Sequence, residues 1–298
     1  MRSGTGQLKH LLVACTFVLW GSVLPAQAEP QLTRTSNVVW QLDKPWFGGL
    51  SGIEMSPDGD VMTLISDRGM LATARLQRTD GIIVSVQLLS HRPLLHANGT
   101  RMKGAIGDAE GLAIGSDGQA YVSFEFRHRV TELNLQTGRT KFLPRHDDFA
   151  EFDTNAGLEA LAVHPDGRLF TLAESYVDAS GSMPLYAYSN DRWQITHRIP
   201  TSGSFLPVGA DFDDTGRLYL LERAISPLGL RTQIRRFDLS GGTTPVQTLL
   251  TTLAGTFDNL EALGLWTDEN GATRLTLISD DNFNAFQTTQ IVEYFLAE

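Results

Sequence analysis

The sequence predicts an all-β protein: a single β-propeller of about five four-stranded blades, closed by a strand from near the N-terminus. Three observations carry that prediction. A segment of two apolar strands around a Gly turn, ending on an acidic residue, recurs five times, over residues 49–67, 108–125, 157–174, 208–223 and 259–281. Its turn glycines, Gly59, Gly118, Gly167, Gly216 and Gly271, lie 59, 49, 49 and 55 residues apart, and short strands repeating every ~40–50 residues mark a propeller blade. Further strand-like pieces follow each copy, such as residues 184–189 with 193–199 and 233–239 with 246–250. They bring the content to four strands per repeat.

Each element has its local reason. Residues 169–173, 218–221 and 275–278 are short apolar runs bounded by turn residues, as buried strands are. Pro57-Asp58-Gly59 and Pro165-Asp166-Gly167 are hairpin turns, because Gly accepts positive φ and Pro presets the dihedral before it. The fifth copy runs out of chain after a third strand at 289–296, while residues 37–42 form an unpaired strand-like piece near the start. Docking that piece as the fourth strand closes the ring and covers an edge. The stretch 90–107 is the alternative place for a degenerate sixth blade, although it is short for four strands. No helix-period segment follows the N-terminal region. Two long connections, 90–107 and 143–155, are candidates for functional loops.

Residues 1–28 read as a cleavable signal peptide. Arg2, Lys9 and His10 form a basic start, residues 11–24 are apolar, and Ala26-Gln27-Ala28 is a small-x-small cleavage site. The expectation is a periplasmic or secreted protein cut after Ala28, with the propeller spanning 29–298. A lipid on Cys15 is the alternative, since Leu12-Val13-Ala14-Cys15 resembles a lipobox. Cys15 is the single cysteine of the chain, so the mature protein must be held by its core and any bound metal rather than by disulfides. The mature charge is 22 − 34 = −12, from 24 Lys and Arg less Arg2 and Lys9, against 34 Asp and Glu. That balance excludes nucleic acid and anionic membrane as natural partners and favours cations, or anions held through cations. A monomer without an integral membrane segment is expected.

The chemistry-bearing pattern is acidic. The first strands carry Glu54, Glu110, Glu159, Asp211 and Glu261, with Glu110, Glu159 and Glu261 in one register. Ser51 and Val208 fill that register in copies one and four. Glu54 and Asp211 stand three positions later, an odd spacing that switches strand face. The second strands end on Asp67, Glu125, Glu174, Glu222 and Asp280. Taken as the inner strands of a propeller, these second strands would bring their carboxylates together in the channel. Like charges so gathered raise one another's pKa, and the remedies are Arg partners or a hard divalent ion with oxygen ligands. The plainer reading of any one acid is that it bonds backbone N–H groups of a neighbouring blade. Neither a nucleophile elbow nor a familiar zinc motif is present around Gly49-Leu50-Ser51-Gly52 or the histidines.

At GLSGIE…ISDRG, DAEGLA, GLEALA…AES, a Glu-Arg after copy four, and NLEALGL…ISDDNF, the chain resembles the bacterial phytase-like ("esterase-like activity of phytase") family. The resemblance covers nearly all of the mature chain. It implies Ca²⁺ held by channel carboxylates such as Glu110, Glu159, Glu174, Glu261, Asp280 and Asp281, with Arg68, Arg223 and Lys103 gripping a phosphate. The implied function is a metal-dependent hydrolase acting on a small anionic phosphoester or ester substrate. The sequence departs from a true phytase in having no dense Asp/Glu cluster within one loop, Asp280-Asp281-Asn282 and Asp147-Asp148 being the nearest. A non-catalytic binding propeller and a metal-dependent lactonase are the alternatives, since fold does not fix function.

Overall fold

The computed structural model describes residue 1, residues 30–241 and residues 246–298. The expected signal peptide, with Cys15 and the expected cleavage after Ala28, falls outside the described residues. The chain opens with β1 (Gln31–Val39) and then forms five antiparallel four-stranded sheets. Blade one is β2 (Leu50–Met55), β3 (Val61–Ser66), β4 (Met70–Thr79) and β5 (Ile82–Pro93). Blade two is β6 (Ala109–Ile114), β7 (Ala120–Phe124), β8 (Arg129–Leu133) and β9 (Thr140–Phe142). Blade three is β10 (Ala160–Val163), β11 (Leu169–Leu172), β12 (Ser182–Ser189) and β13 (Arg192–Pro200). Blade four is β14 (Leu206–Phe212), β15 (Arg217–Ser226), β16 (Gly229–Asp238) and β17 (Val246–Thr251). Blade five is β18 (Asn259–Thr267), β19 (Thr273–Asp280) and β20 (Gln290–Ala297), with β1 paired to β20.

The blade count is five. The stretch 90–107 adds only the end of β5, a bridge at Leu95 and a 3₁₀ turn at Gly104–Ile106. The strand that completes blade five runs Gln31–Val39, so it begins earlier and ends sooner than the expected 37–42. Its seam is tied by Arg78 of blade one, whose guanidinium grips both carboxylate oxygens of the fully buried Glu293 in blade five at 2.8 and 2.7 Å. The loop at 143–155 folds back as structure rather than as a lid. Phe149 and Phe152 are buried, the Tyr186 hydroxyl donates to Asp148 at 2.7 Å, and the Trp193 indole donates to the Pro144 carbonyl at 2.8 Å.

The inner strands are the first of each repeat, β2, β6, β10, β14 and β18, which pack on one another around the axis. This corrects the expectation that the second strands line the channel. The reason lies in the axis itself. Gly52, Gly111, Ala160, Gly209 and Ala262 share one register, opposite Ile65, Ser123, Leu172, Leu221 and Ile278. A Cβ on Gly52 would lie 2.8 Å from the Leu112 nitrogen, and one on Gly111 2.8 Å from the Glu159 carbonyl oxygen. Only the first strands carry small residues where five chains must meet. Around this girdle the channel narrows to a void of about 10 Å³, room for roughly one water. The molecule therefore has two separate ends: a mouth, where the second strands finish, and a floor, at the Gly turns.

Candidate functional site

One residue before the small girdle position, the inner strands break register. The ladder slips between Leu50 and Gly52, Ala109 and Leu112, Pro207 and Gly209, and Leu260 and Ala262, while in blade three the strand begins only after Glu159. A bulge adds a residue and re-aims its side chain. The residues so placed are Ser51, Glu110, Glu159, Val208 and Glu261, the register seen in the sequence. Three glutamates thus converge beneath the mouth. Burial, then the charge of Glu159, pushes Glu110 well above the usual carboxylate range, and burial with Glu174 and Glu261 does the same to Glu159. Ser51 is spent structurally: it is buried and its hydroxyl donates to the Ala109 carbonyl at 2.5 Å.

A second ring sits above, at the ends of the second strands. Its members by register are Asp67, Glu125, Glu174, Arg223 and Asp280. Blade four contributes Arg223 and not Glu222. Glu222 is fully buried away from the axis, where Arg235 holds both its oxygens. The signal for this is in the sequence, because 125 − 118, 174 − 167 and 223 − 216 are each seven residues from the turn glycine. Arg223 donates to Glu174 at 3.0 Å, to the Asn259 side-chain oxygen at 2.7 Å and to Glu261. Burial works against its charge, but Glu261 and Glu174 hold its pKa up. Its guanidinium is therefore an internal counterion for one half of the mouth.

The other half has no such buried clasp among the described residues; Arg68, at the mouth, only partly offsets the rise at Asp67. Asp108, Glu110 and Glu125 offer oxygens that all lie within 4.8 Å of one another. Burial raises Asp108 and Glu125 as well as Glu110. Next to them Asp67 is pushed up to about 7 by burial and by Asp108, and its Oδ1 is buried with no hydrogen-bond partner. Asp280 is pushed up to about 8 by burial and by Glu261. The sequence reading does not single out Asp108. Its signal was position, two residues before Glu110 as Asn259 stands two before Glu261.

The remaining candidates are placed elsewhere. Asp281 turns aside and accepts from the Gly49 and Phe283 backbone N–H groups at 3.2 and 3.0 Å and from the Thr289 hydroxyl at 3.3 Å, which holds the 48–49 turn to blade five. Arg68 stands at the mouth with its guanidinium 3.0 Å from the Phe283 ring centroid, a cation–π stack. Lys103 is exposed just before the 3₁₀ turn at Gly104–Ile106 and makes no side-chain hydrogen bond or ion pair among the described residues. The floor holds a separate pair, Glu54 and Asp211. Glu54 accepts from the Ile114 N–H at 2.9 Å, and Asp211 from those of Phe212 and Leu265 at 2.7 Å each. Here the plainer reading holds, since these acids tie neighbouring blades together. A larger cleft of about 690 Å³ lies off the axis, beside Arg168, Arg217 and Glu298. Both arginines are already paired, Arg168 with Asp166 and Arg217 with Asp213 and Glu298, so the mouth is the better candidate.

The fold is similar to that of the PQQ-bound form of aldose sugar dehydrogenase from Streptomyces coelicolor, at TM-score 0.50 and 12% identity over 91% of this chain and 99% of that one. A more distant likeness is to virginiamycin B lyase from Staphylococcus aureus, at TM-score 0.42 and 13% identity over 84% of this chain and 71% of that one. At such identities only the fold is shared. No curated protein sequence matches the chain. A family model, phytase-like with esterase-like activity of phytase, matches residues 45–283, from just before the first inner strand to the mouth loop after β19. The chain therefore belongs to the phytase-like (esterase-like activity of phytase) family.

Proposed function

We propose that the protein is a hydrolase of ester or phosphoester bonds that works at the carboxylate-lined mouth with a divalent cation, Ca²⁺ in the first instance. One observation carries the reading: buried carboxyls from several blades meet there, with Arg223 alone neutralising one half. The donor set of the other half fits a hard cation, being three carboxylates whose oxygens lie within 4.8 Å of one another. Asp108, Glu110 and Glu125 would hold the ion, which when bound supplies a positive charge for the substrate's oxygen and for the charge that develops in the transition state.

The chain's own residues can move the protons. A carboxyl with pKa near the working pH suits acid–base work. Asp280, at about 8, carries a proton at neutral pH and can give it to the leaving alcohol oxygen. Asp67, at about 7 with an unpartnered Oδ1, can take one from the attacking water. Water then adds to the acyl carbon or phosphorus, the bond to the alcohol oxygen breaks, and the alcohol leaves protonated. Arg223 keeps Glu174 and Glu261 in place rather than clamping the substrate. We also propose export through the segment 1–28, which mass measurement of the N-terminus in periplasm or medium would test.

The test of the function is calorimetric Ca²⁺ titration of chelator-stripped protein and its Glu110→Gln variant, followed by turnover of aryl esters, lactones and aryl phosphates. Saturable binding weakened tenfold or more in the variant, with hydrolysis lost in Asp280→Asn, is expected. Absence of turnover on every substrate, with and without Ca²⁺, would sink the hydrolase reading and leave a binding propeller.

A further inference from the structure

The two faces of the propeller differ in a way that the carboxylates do not explain. Ile106, Phe126, Val177, Leu228, Leu253 and Phe286 are all exposed, and all belong to loops on the mouth side. Phe286, Leu228 and Leu253 are 95%, 84% and 83% exposed. Leu206 and Ile225, also exposed, stand at the mouth ends of their strands. Apart from Met1, the other exposed large apolar residues, such as Val84 and Phe142, lie on outer strands, and only Ile82 and Val246 of these, among the described residues, stand at floor ends. Scattered apolar residues are ordinary on a protein surface; their concentration in the loops of one face is not.

Two bulky residues of the mouth loops also hold a strained backbone, while the floor turns give positive φ only to Asp and Asn besides Gly. Phe126 and Phe283 have φ of +52° and +50°, a region that bulky side chains rarely adopt and that costs about 1 kcal/mol or more. Both are on mouth loops. Phe126 is held by its N–H bond to the Thr154 carbonyl at 3.2 Å, and Phe283 lies under Arg68. The turns that carry Leu228 and Leu253 pack together: the Gly255 N–H donates to the Leu230 carbonyl at 2.9 Å, and the Gly255 nitrogen would stand 3.3 Å from a Cβ on Gly229. The Leu228 turn closes the hairpin that begins with β15, the strand carrying Arg223.

We infer that the mouth takes substrates with an apolar arm, an acyl chain or aryl group lying on the rim formed by Leu228, Leu253, Phe286 and Phe126, with an uncharged ester at the carboxylates. This rests on the hydrolase reading and narrows it. Arg223 is already paired with Glu174 and Glu261, so a compact polyanion would be held by the divalent cation alone and would leave the apolar rim uncovered. An uncharged ester with an apolar arm covers the rim and asks no further cation of the mouth.

The experiment measures dissociation constants of N-alkyl amides, non-hydrolysable counterparts of esters, as the chain grows from two to ten carbons. On a partly open rim affinity should tighten about twofold per methylene, half or less of the gain for full burial. Leu228→Ser with Phe286→Ser should flatten the series, and both sites are exposed enough to leave folding intact. Val84→Ser, on an outer strand, should leave it unchanged. Flat affinity in the parent protein, or an undiminished rise in the rim variant, would overturn the inference. A rise with chain length together with no turnover of any ester or phosphoester would instead sink only the hydrolase reading.

Discussion

Replacing Glu54 by Gln should make the protein more stable at alkaline pH, although it removes a charged residue that bonds a neighbouring blade. The substitution keeps the carbonyl oxygen that accepts from the Ile114 N–H at 2.9 Å. What it removes is one of two buried carboxylates on the floor. Burial, then Asp211, raises Glu54 well above its ordinary range, and burial raises Asp211 from 3.8 to about 7 against the pull of two backbone N–H groups. An acid whose folded pKa is raised keeps a proton that the unfolded chain has released. Stability therefore falls as pH climbs from the ordinary pKa to the raised one, and the full cost is present above the latter. Each proton so held is worth ~1.4 kcal/mol per pH unit. Asp211 alone, raised from 3.8 to about 7, would cost roughly 4 kcal/mol at pH 8. Relief of one charge of the pair should then restore roughly 2–4 kcal/mol at pH 8 and almost nothing at pH 4. For a domain of this size that is a rise in Tm of roughly 5–15 °C. Calorimetric scans of parent and Glu54→Gln from pH 4 to 8 in chelator give the answer. Because both proteins share the mouth acids, the difference between their curves isolates the floor pair. A variant Tm at pH 8 equal to or below the parent's would refute the argument.

Two further perturbations follow from the same geometry. Arg223→Met strips Glu174 and Glu261 of their counterion, and breaking a buried pair typically costs about 3–5 kcal/mol; the loss measured by denaturant melts should be largest at pH 8 and shrink towards pH 5 as Glu261, raised by burial, takes up a proton. Gly111→Ala sets a Cβ 2.6 Å from the Leu161 Cβ and 2.8 Å from the Glu159 carbonyl oxygen, so it should cost about 1–3 kcal/mol, towards the upper end because the backbone oxygen cannot rotate away. A Gly111→Ala protein with the parent's Tm would show that the inner strands are less tightly closed than described.

Much of this molecule was legible in its sequence because its signals are local and repeated. Strand periodicity and turn chemistry act over a few residues, so the five Gly turns pointed to five blades, and the structure removed the sixth that 90–107 had left open. The register of Glu110, Glu159 and Glu261 was likewise visible, because three blades repeat the same short word. Glu222 shows the limit. Its place after an apolar run matches the other strand ends, yet a one-residue slip puts it on the opposite face. The ladder, Pro207 opposite Glu222 and Leu206 opposite Arg223, shows which of the two faces the mouth, in agreement with the seven-residue spacing from the turn glycine.

What the tertiary structure alone decided concerns groups far apart in the chain. Sequence gives no hint that the first strands are innermost, since both strands of each repeat are apolar; the small girdle residues are read as such only once five chains meet at an axis. The triad of Asp108, Glu110 and Glu125 joins two strands of one blade across a bulge, and the Arg223 clasp joins residues 49 positions apart. The sequence by itself determined the all-β architecture, the repeat and the supply of carboxylates. Which carboxylates crowd together, which meet a cation and which merely bond the backbone was decided by tertiary structure, because burial and charge proximity exist only after the blades have closed.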